Sequence, residues 1–359
     1  MGSRHNRTAR NFRGTIDVVK RTWAVVVMAV TLACGAANTE QASIPSGEVV
    51  VEPRIDAADA AVTIEAPTNQ PDAGQPPSPE ATQDVTTTWD GDADHAVPGA
   101  NVTMTVSFAA VRKHPDADKL AAVLNATPQW SIAPGALEPV RDLEWVTVTG
   151  PSLVATGLDD TLFQHSVADD KVDKAITHDL KGRPLALQVR GVRASTATIR
   201  QEQCAVLHAP PHLIAIVPRV RADSVARQMI AHAIASPVFH LGEAMRVRAL
   251  HPGTAVLGIP ADISEMRLWI DVHPSDGGAD IRVEGDCPTS DAARVDADAI
   301  ASLIRQQNTF AVRFMTEGLF NVVTVTSVGS KVRVHIPATQ KQIEAVLRLL
   351  ANRLNVTLP

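Results

Sequence analysis

The chain has 359 residues, a formal net charge of −6, only 3% aromatic residues and no Tyr. Its charge is unevenly spread: residues 35–100 hold about twelve acids against the one base Arg54, whereas residues 101–359 hold about 26 of each sign. A near-neutral folded part lacks the concentrated basic face of a nucleic-acid binder, and the scarcity of aromatic rings argues against a sugar-stacking site.

At the N-terminus, Arg4, Arg7, Arg10, Arg13, Lys20 and Arg21 precede an apolar run that opens at Trp23. The run is about ten residues long, whereas a bilayer span takes roughly 20. A basic flank, a short apolar run and small residues make a secretory signal over residues 1–33. The stretch Thr31-Leu32-Ala33-Cys34-Gly35 resembles the lipobox of bacterial lipoproteins. The resemblance implies an acylated Cys34 at the mature N-terminus and a protein held on a membrane by its acyl chains. Each buried CH2 of such a chain contributes about 0.8 kcal/mol. It also implies the bacterial cell envelope, with the outer membrane facing periplasm or surface as the expected place. In texture alone, the remainder is similar to uncharacterised lipoproteins of myxobacteria-like genomes.

Residues 34–100 read as the lipidated terminus and an acidic Pro/Ala-rich tether, too poor in apolar side chains to offset the entropy of ordering. Only residues 47–52 alternate like a strand. The run Asp90-Gly-Asp-Ala-Asp94 lacks the spacing and closing Glu of a calcium loop and reads as a solvated acidic patch.

The texture changes at Asn101. Strands are expected at 102–108, 143–149, 161–167 and 185–190, with helices at 114–124 and 169–180. That order predicts a ferredoxin-like βαββαβ plait over residues 101–200. A second α+β domain of hairpin-plus-helix units is expected over 201–359. Its strands are 204–208 with 212–217, 266–273 with 280–284, and 321–326 with 331–336. Its helices are near 223–235, 291–307 (Val295, Ile300, Leu303 and Ile304 inward) and after a Thr339/Gln342 capping box. Ile343, Val346, Leu347, Leu350 and Leu354 recur at helical spacing. The fold class is therefore α+β, with antiparallel sheets covered by helices on one face and hairpin–helix units that suggest duplication; one continuous sheet is the alternative. The wetter face would carry Asp271, His273, Arg282, Glu284, Arg333 and His335.

Few residues point to chemistry. Cys204 and Cys287 are the thiols left that could pair in an oxidising compartment; two separate half-buried thiols is the other reading, since sequence does not place them within bridging distance. His208 and His212 are four apart, but the two prolines between them forbid the helix that would make this a zinc-protease pair, so a turn between strands is the reading. Asp271, His273 and Glu284 would sit on facing strands as an acid/base or metal cluster, though cross-strand polar pairs on a solvated face are commoner. Trp145 and Trp269 are expected as core anchors. No nucleophile elbow, P-loop or dinucleotide-binding fingerprint occurs, so neither catalytic residues, nor a metal site, nor a cofactor is assigned. The sequence thus predicts a membrane-anchored, non-catalytic module that binds another envelope protein or serves structurally. A periplasmic or surface hydrolase with dispersed residues is the alternative.

Overall fold

The structure, a computed structural model, describes residues 100–126, 137–150, 160–178, 180–199, 202–209, 212–231, 236–254 and 259–359. The signal, Cys34 and the tether, with its 47–52 and 90–94 stretches, lie outside the described residues.

Among the described residues, twelve strands form a single sheet in which every neighbouring pair is antiparallel. They are β1 (Val102–Ser107), β2 (Leu143–Gly150), β3 (Asp160–His165), β4 (Arg183–Pro184), β5 (Arg193–Ile199), β6 (Glu202–Ala209), β7 (Leu213–Pro218), β8 (Glu243–Leu250), β9 (Glu265–Val272), β10 (Ala279–Asp286), β11 (Thr324–Val328) and β12 (Lys331–Ala338). Their order is β11-β12-β10-β9-β8-β1-β2-β3-β7-β6-β5-β4. Two units of one topology are visible in it. Each is a three-stranded meander (β1-β2-β3, β8-β9-β10) extended by a later hairpin entered from its second strand (β7-β6, β12-β11). The units meet where β1 pairs with β8, Met104 opposite Val247 and Val106 opposite Met245.

Among the described residues, eight α-helices accompany the sheet: α1 (Phe108–Val111), α2 (Ala117–Ala126), α3 (Pro139–Asp142), α4 (Asp169–His178), α5 (Ala222–Ile230), α6 (Ser290–Gln307), α7 (Phe310–Met315) and α8 (Gln340–Leu354). Alternation decides what each strand buries. On β9, Met266 and Leu268 join the main core, while Glu265 and Arg267 point to the other face. The main core continues across both units, from Val172 and Ile176 of α4 through Phe163, Val106 and Val247 to Val346 and Leu350 of α8. The opposite face is apolar only in the first unit, where Leu162, Leu207 and Trp145 pack against Val225 and Met229 of α5.

The α8 stripe and its capping box, Thr339 with Gln342, are as the sequence predicts. Other expectations are corrected. Residues 185–190 form no strand, and β5 and β8, which the sequence reading passes over, do. The 101–200 stretch does not close as a plait, because β1 lies between β2 and β8 and is antiparallel to both. Nor does the sheet divide at 200/201, since β5 and β6 pair across that point. Helix α6 is turned so that Val295 is 59% exposed. Asp296 faces inward instead, 3.3 Å from the Cys287 thiol that donates to it. Cys204 and Cys287 are not joined in a disulfide. β6 lies seven inter-strand steps from β10; at about 4.8 Å each that is roughly 30 Å, far beyond disulfide reach.

The wetter face is as expected and neutralises itself. Glu265 accepts from Arg248 (3.1 Å) and Arg267 (2.8 Å), and Glu284 from Arg267 (2.9 Å), Arg333 (3.0 Å) and Lys331. Partial burial alone would raise the Glu284 carboxyl, but Lys331 and Arg333 hold it below the ordinary Glu value. A depressed carboxylate contributes stability above its ordinary pKa and loses it as pH falls through the folded value. Glu284→Gln should therefore cost about 1–3 kcal/mol of unfolding free energy at pH 7. In urea titrations the difference from wild type should shrink as pH drops below 4.5.

Candidate metal centre

The chemically distinctive place is the end of β3. That strand finishes at His165, and four residues later α4 opens with Asp169. A carboxylate suits a helix start, where unpaired N–H groups and the helix dipole favour negative charge. One turn on, Asp173 projects from the same side of α4. β3 pairs with β7, Phe163 opposite Ile214, and the backbone N–H of His165 donates to the His212 carbonyl at 3.0 Å. The β6–β7 hairpin thus brings His208 and His212 against the β3–α4 corner. His212 itself sits in the left-handed region (φ 64°), a conformation that persists in a non-Gly residue only where its surroundings impose it.

Three imidazoles converge on one point, Oδ1 of Asp169. His208 Nε2 and His212 Nδ1 each lie 3.3 Å from it, and His165 Nε2 lies 3.8 Å away. The donor atoms of His165, Asp169 and His212 fall within 4.8 Å of one another, a group that His208 does not join; His208 Nε2 reaches it through Asp169. None of the four atoms makes a hydrogen bond, and each is shielded from solvent. Buried polar atoms are rarely left so, and here four are left together, facing inward. A tetrahedral zinc ion with bonds of about 2.0–2.1 Å would separate its ligands by about 3.3–3.4 Å.

The outer partners fit the same arrangement. His165 Nδ1 is 3.0 Å from the Val167 carbonyl, which can only accept. Nδ1 therefore carries the proton, and Nε2 presents its lone pair inward. His208 Nδ1 is 2.8 Å from Asp173 Oδ1 and 3.0 Å from an Arg193 guanidinium nitrogen; with the proton on Nδ1 and directed at Asp173, the two form a carboxylate–histidine pair of the kind that orients metal ligands. Asp173 is in turn paired with Arg193, which stands directly across from His208 on β5. Burial, with His208 and His212 beside it, pushes the His165 imidazole below its ordinary pKa, against the opposing pull of the Val167 carbonyl, which keeps it neutral for ligation. Burial would raise Asp169, but His208 and His212 hold it below the usual carboxylate range. The side chains of His165 and His208 are 0% and 2% exposed, those of Asp169 and His212 29% and 42%. The site is closed from below and reachable from the His212 side.

Of the residues singled out from sequence, only His208, with its neighbour His212, belongs here. Asp271 pairs with Arg282, His273 with Asp280 at 3.1 Å, and Glu284 with the cations already described. These three do not converge. Trp145 is buried with its indole N–H on Gln164 (2.7 Å), whereas Trp269 lies half-buried on the charged face. The Cys287 thiol is pushed up to about 12 by burial and the Asp296 carboxylate, which leaves it inert. His165 and Asp169 were not singled out. Their only local signal is a His-x3-Asp spacing that matches the His-x3-His of 208–212, and it gains meaning only when β3 pairs with β7.

No protein-family model matches the chain, and no curated protein matches it. Among solved structures the chain is similar to crystal form I of TP0453, at 10% sequence identity and a TM-score of 0.40, over 72% of this chain and 96% of that one. A likeness of that size assigns neither function nor site.

The purified folded part should bind one zinc ion per chain in a chelator-competition titration, and His165→Ala or His208→Ala should abolish binding. Asp173→Asn should weaken it 10–100-fold, and His273→Ala should leave it unchanged. Affinity should fall on acidification, because the ligands must be deprotonated to bind.

Proposed function

We propose that this chain is an acylated envelope lipoprotein that holds one transition-metal ion, zinc by preference, in a site built from His165, Asp169, His208 and His212. The observation that carries the reading is the convergence of four buried atoms without hydrogen bonds on one point, with two of the three imidazoles oriented from behind by acceptors. Imidazole and carboxylate donors suit zinc among the borderline metals, and His208, 3.3 Å from Asp169 Oδ1 but outside the tight His165–Asp169–His212 group, completes four ligands by a shift of its ring, which makes a holding site rather than an open catalytic one. The lipobox-like Cys34 and the acidic tether support a place on the membrane, at a distance from it, with the metal or a metal-bearing envelope protein as partner. No described helix is long and apolar enough to cross a membrane. The order of five strands that the two units share supports duplication of one ancestral unit, with the site in the first copy.

Hydrolysis is the second reading, favoured by the exposure of His212. Were His212 to leave the ion, water could take its place and be activated.

The anchor and the metal can be separated in one experiment. Full-length protein expressed in a Gram-negative host should be recovered in the membrane fraction, acylated at Cys34 by intact mass, with one zinc per chain. Cys34→Ser should be soluble and still carry zinc; His208→Ala should stay membrane-bound without it. A soluble wild type would overturn the anchor, and a metal-free wild type would overturn the metal reading.

A further inference from the structure

A second site candidate lies on the same sheet face, where the two units meet. Between β1, β8, β9, β10 and β12 on one side and α2 and α8 on the other is a partly open cavity of about 170 Å³. Its wall includes Val123, Leu124, Met245, Ile270, Ile281 and Val346, and it offers no polar atom. Two polar side chains border it, and both are already engaged. His114 accepts at Nδ1 from the Asp116 N–H (3.1 Å), so its Nε2 carries the proton and donates to the Gly277 carbonyl (2.9 Å). Gln342 accepts from the Thr339 N–H (2.9 Å) and donates to the Glu317 carbonyl (3.2 Å).

A water molecule needs two to four polar partners to occupy such a space, and an apolar cavity of about 150 Å³ stays dry and admits benzene. Close packing elsewhere makes a void of this size exceptional. The mouth is marked as well. Leu120, Leu124 and Ile343 are only half-buried. Beside them Lys119 of α2 reaches Glu344 of α8 at 3.1 Å while also holding Asp116 at 2.7 Å. This ion pair straps the two helices together next to the lining residues Leu120 and Ile343.

We propose that this cavity is a binding site for an uncharged hydrocarbon group, of the size of one ring or the end of one aliphatic chain, admitted when α2 parts from α8 and the Lys119–Glu344 strap opens. The rim carries two carboxylates against one ammonium, so it selects against anionic ligands, and the wall rewards only apolar surface. The site is independent of the metal centre.

The test uses full-length protein with benzene as one probe and the alcohols from 1-butanol to 1-octanol, below their solubility limits, as the other. Methyl-resolved NMR should show saturable shifts confined to Val123, Leu124, Ile270 and Val346. Ala338→Leu, which fills the cavity from β12, should abolish the shifts while the melting temperature is kept or raised. If chain ends are the ligand, affinity should rise up to about fourfold per methylene; if single rings are, benzene should compete and the alcohol series should be flat. Absence of saturable shifts in wild type, or their persistence in folded Ala338→Leu, would overturn the site. Glu344→Gln should speed ligand exchange severalfold with little change in affinity, and an unaltered exchange rate would overturn the strap.

Discussion

The pairing of β3 with β7 is the constraint on which the first unit depends. It is a non-local ladder, Leu162 opposite Ala215 and Phe163 opposite Ile214, and its closure entropy must be met before its contacts reward it. Once formed, it does two things. It lets the β6–β7 hairpin extend the meander, so that α4 and α5 can cover opposite faces. It also sets His165 beside the hairpin turn, with His212 tied to it through the backbone. The candidate metal centre thus follows from how these strands pair, and an ion bound only by the native arrangement would stabilise that pairing by mass action.

The two units share an order of strands but not a chemistry. On the face shared by α4 and α8 the core is continuous, and it carries the His/Asp corner at one end and the apolar cavity at the other. On the reverse face, buried leucines beneath α5 give way to threonines, with Thr105 and Thr147 hydroxyls 3.1 Å apart, and then to the Arg–Glu ladder of β8, β9, β10 and β12. That ladder leaves little net field to recruit a charged partner. Site and scaffold therefore separate in this protein as they do generally: topology repeats, and function resides in a few grafted side chains.

Local patterns in the sequence carried what is local in the structure. Alternation located β1, β2, β9, β10 and β12, and the spacing of Ile343 through Leu354 with the Thr339 cap located α8. The charged face was legible because cross-strand register follows from a short hairpin. Strand order was not, because nothing local to β1 says that β8 will be its neighbour. The same limit hid the metal centre. His208-Ala-Pro-Pro-His212 was visible as a pair, but its partners come from the β3–α4 corner, and two x3 spacings in separate loops carry no signal until the sheet joins them. The Cys204–Cys287 pairing failed for the converse reason: two thiols in one composition count stand at distant strands of one sheet. In α6, hydrophobicity favoured Val295 inward, and the Asp296–Cys287 hydrogen bond with small Ala293 and Ala297 against the sheet decided otherwise.

X-ray absorption at the zinc edge of the metal-loaded protein tests the central claim most directly. The account predicts a first shell of four nitrogen or oxygen atoms at about 2.0–2.1 Å, with the outer-shell scattering of three imidazole rings. A shell containing sulfur at about 2.3 Å would move the ion to a cysteine. Six oxygen neighbours without imidazole scattering, or protein that retains no ion, would contradict a centre made of His165, Asp169, His208 and His212.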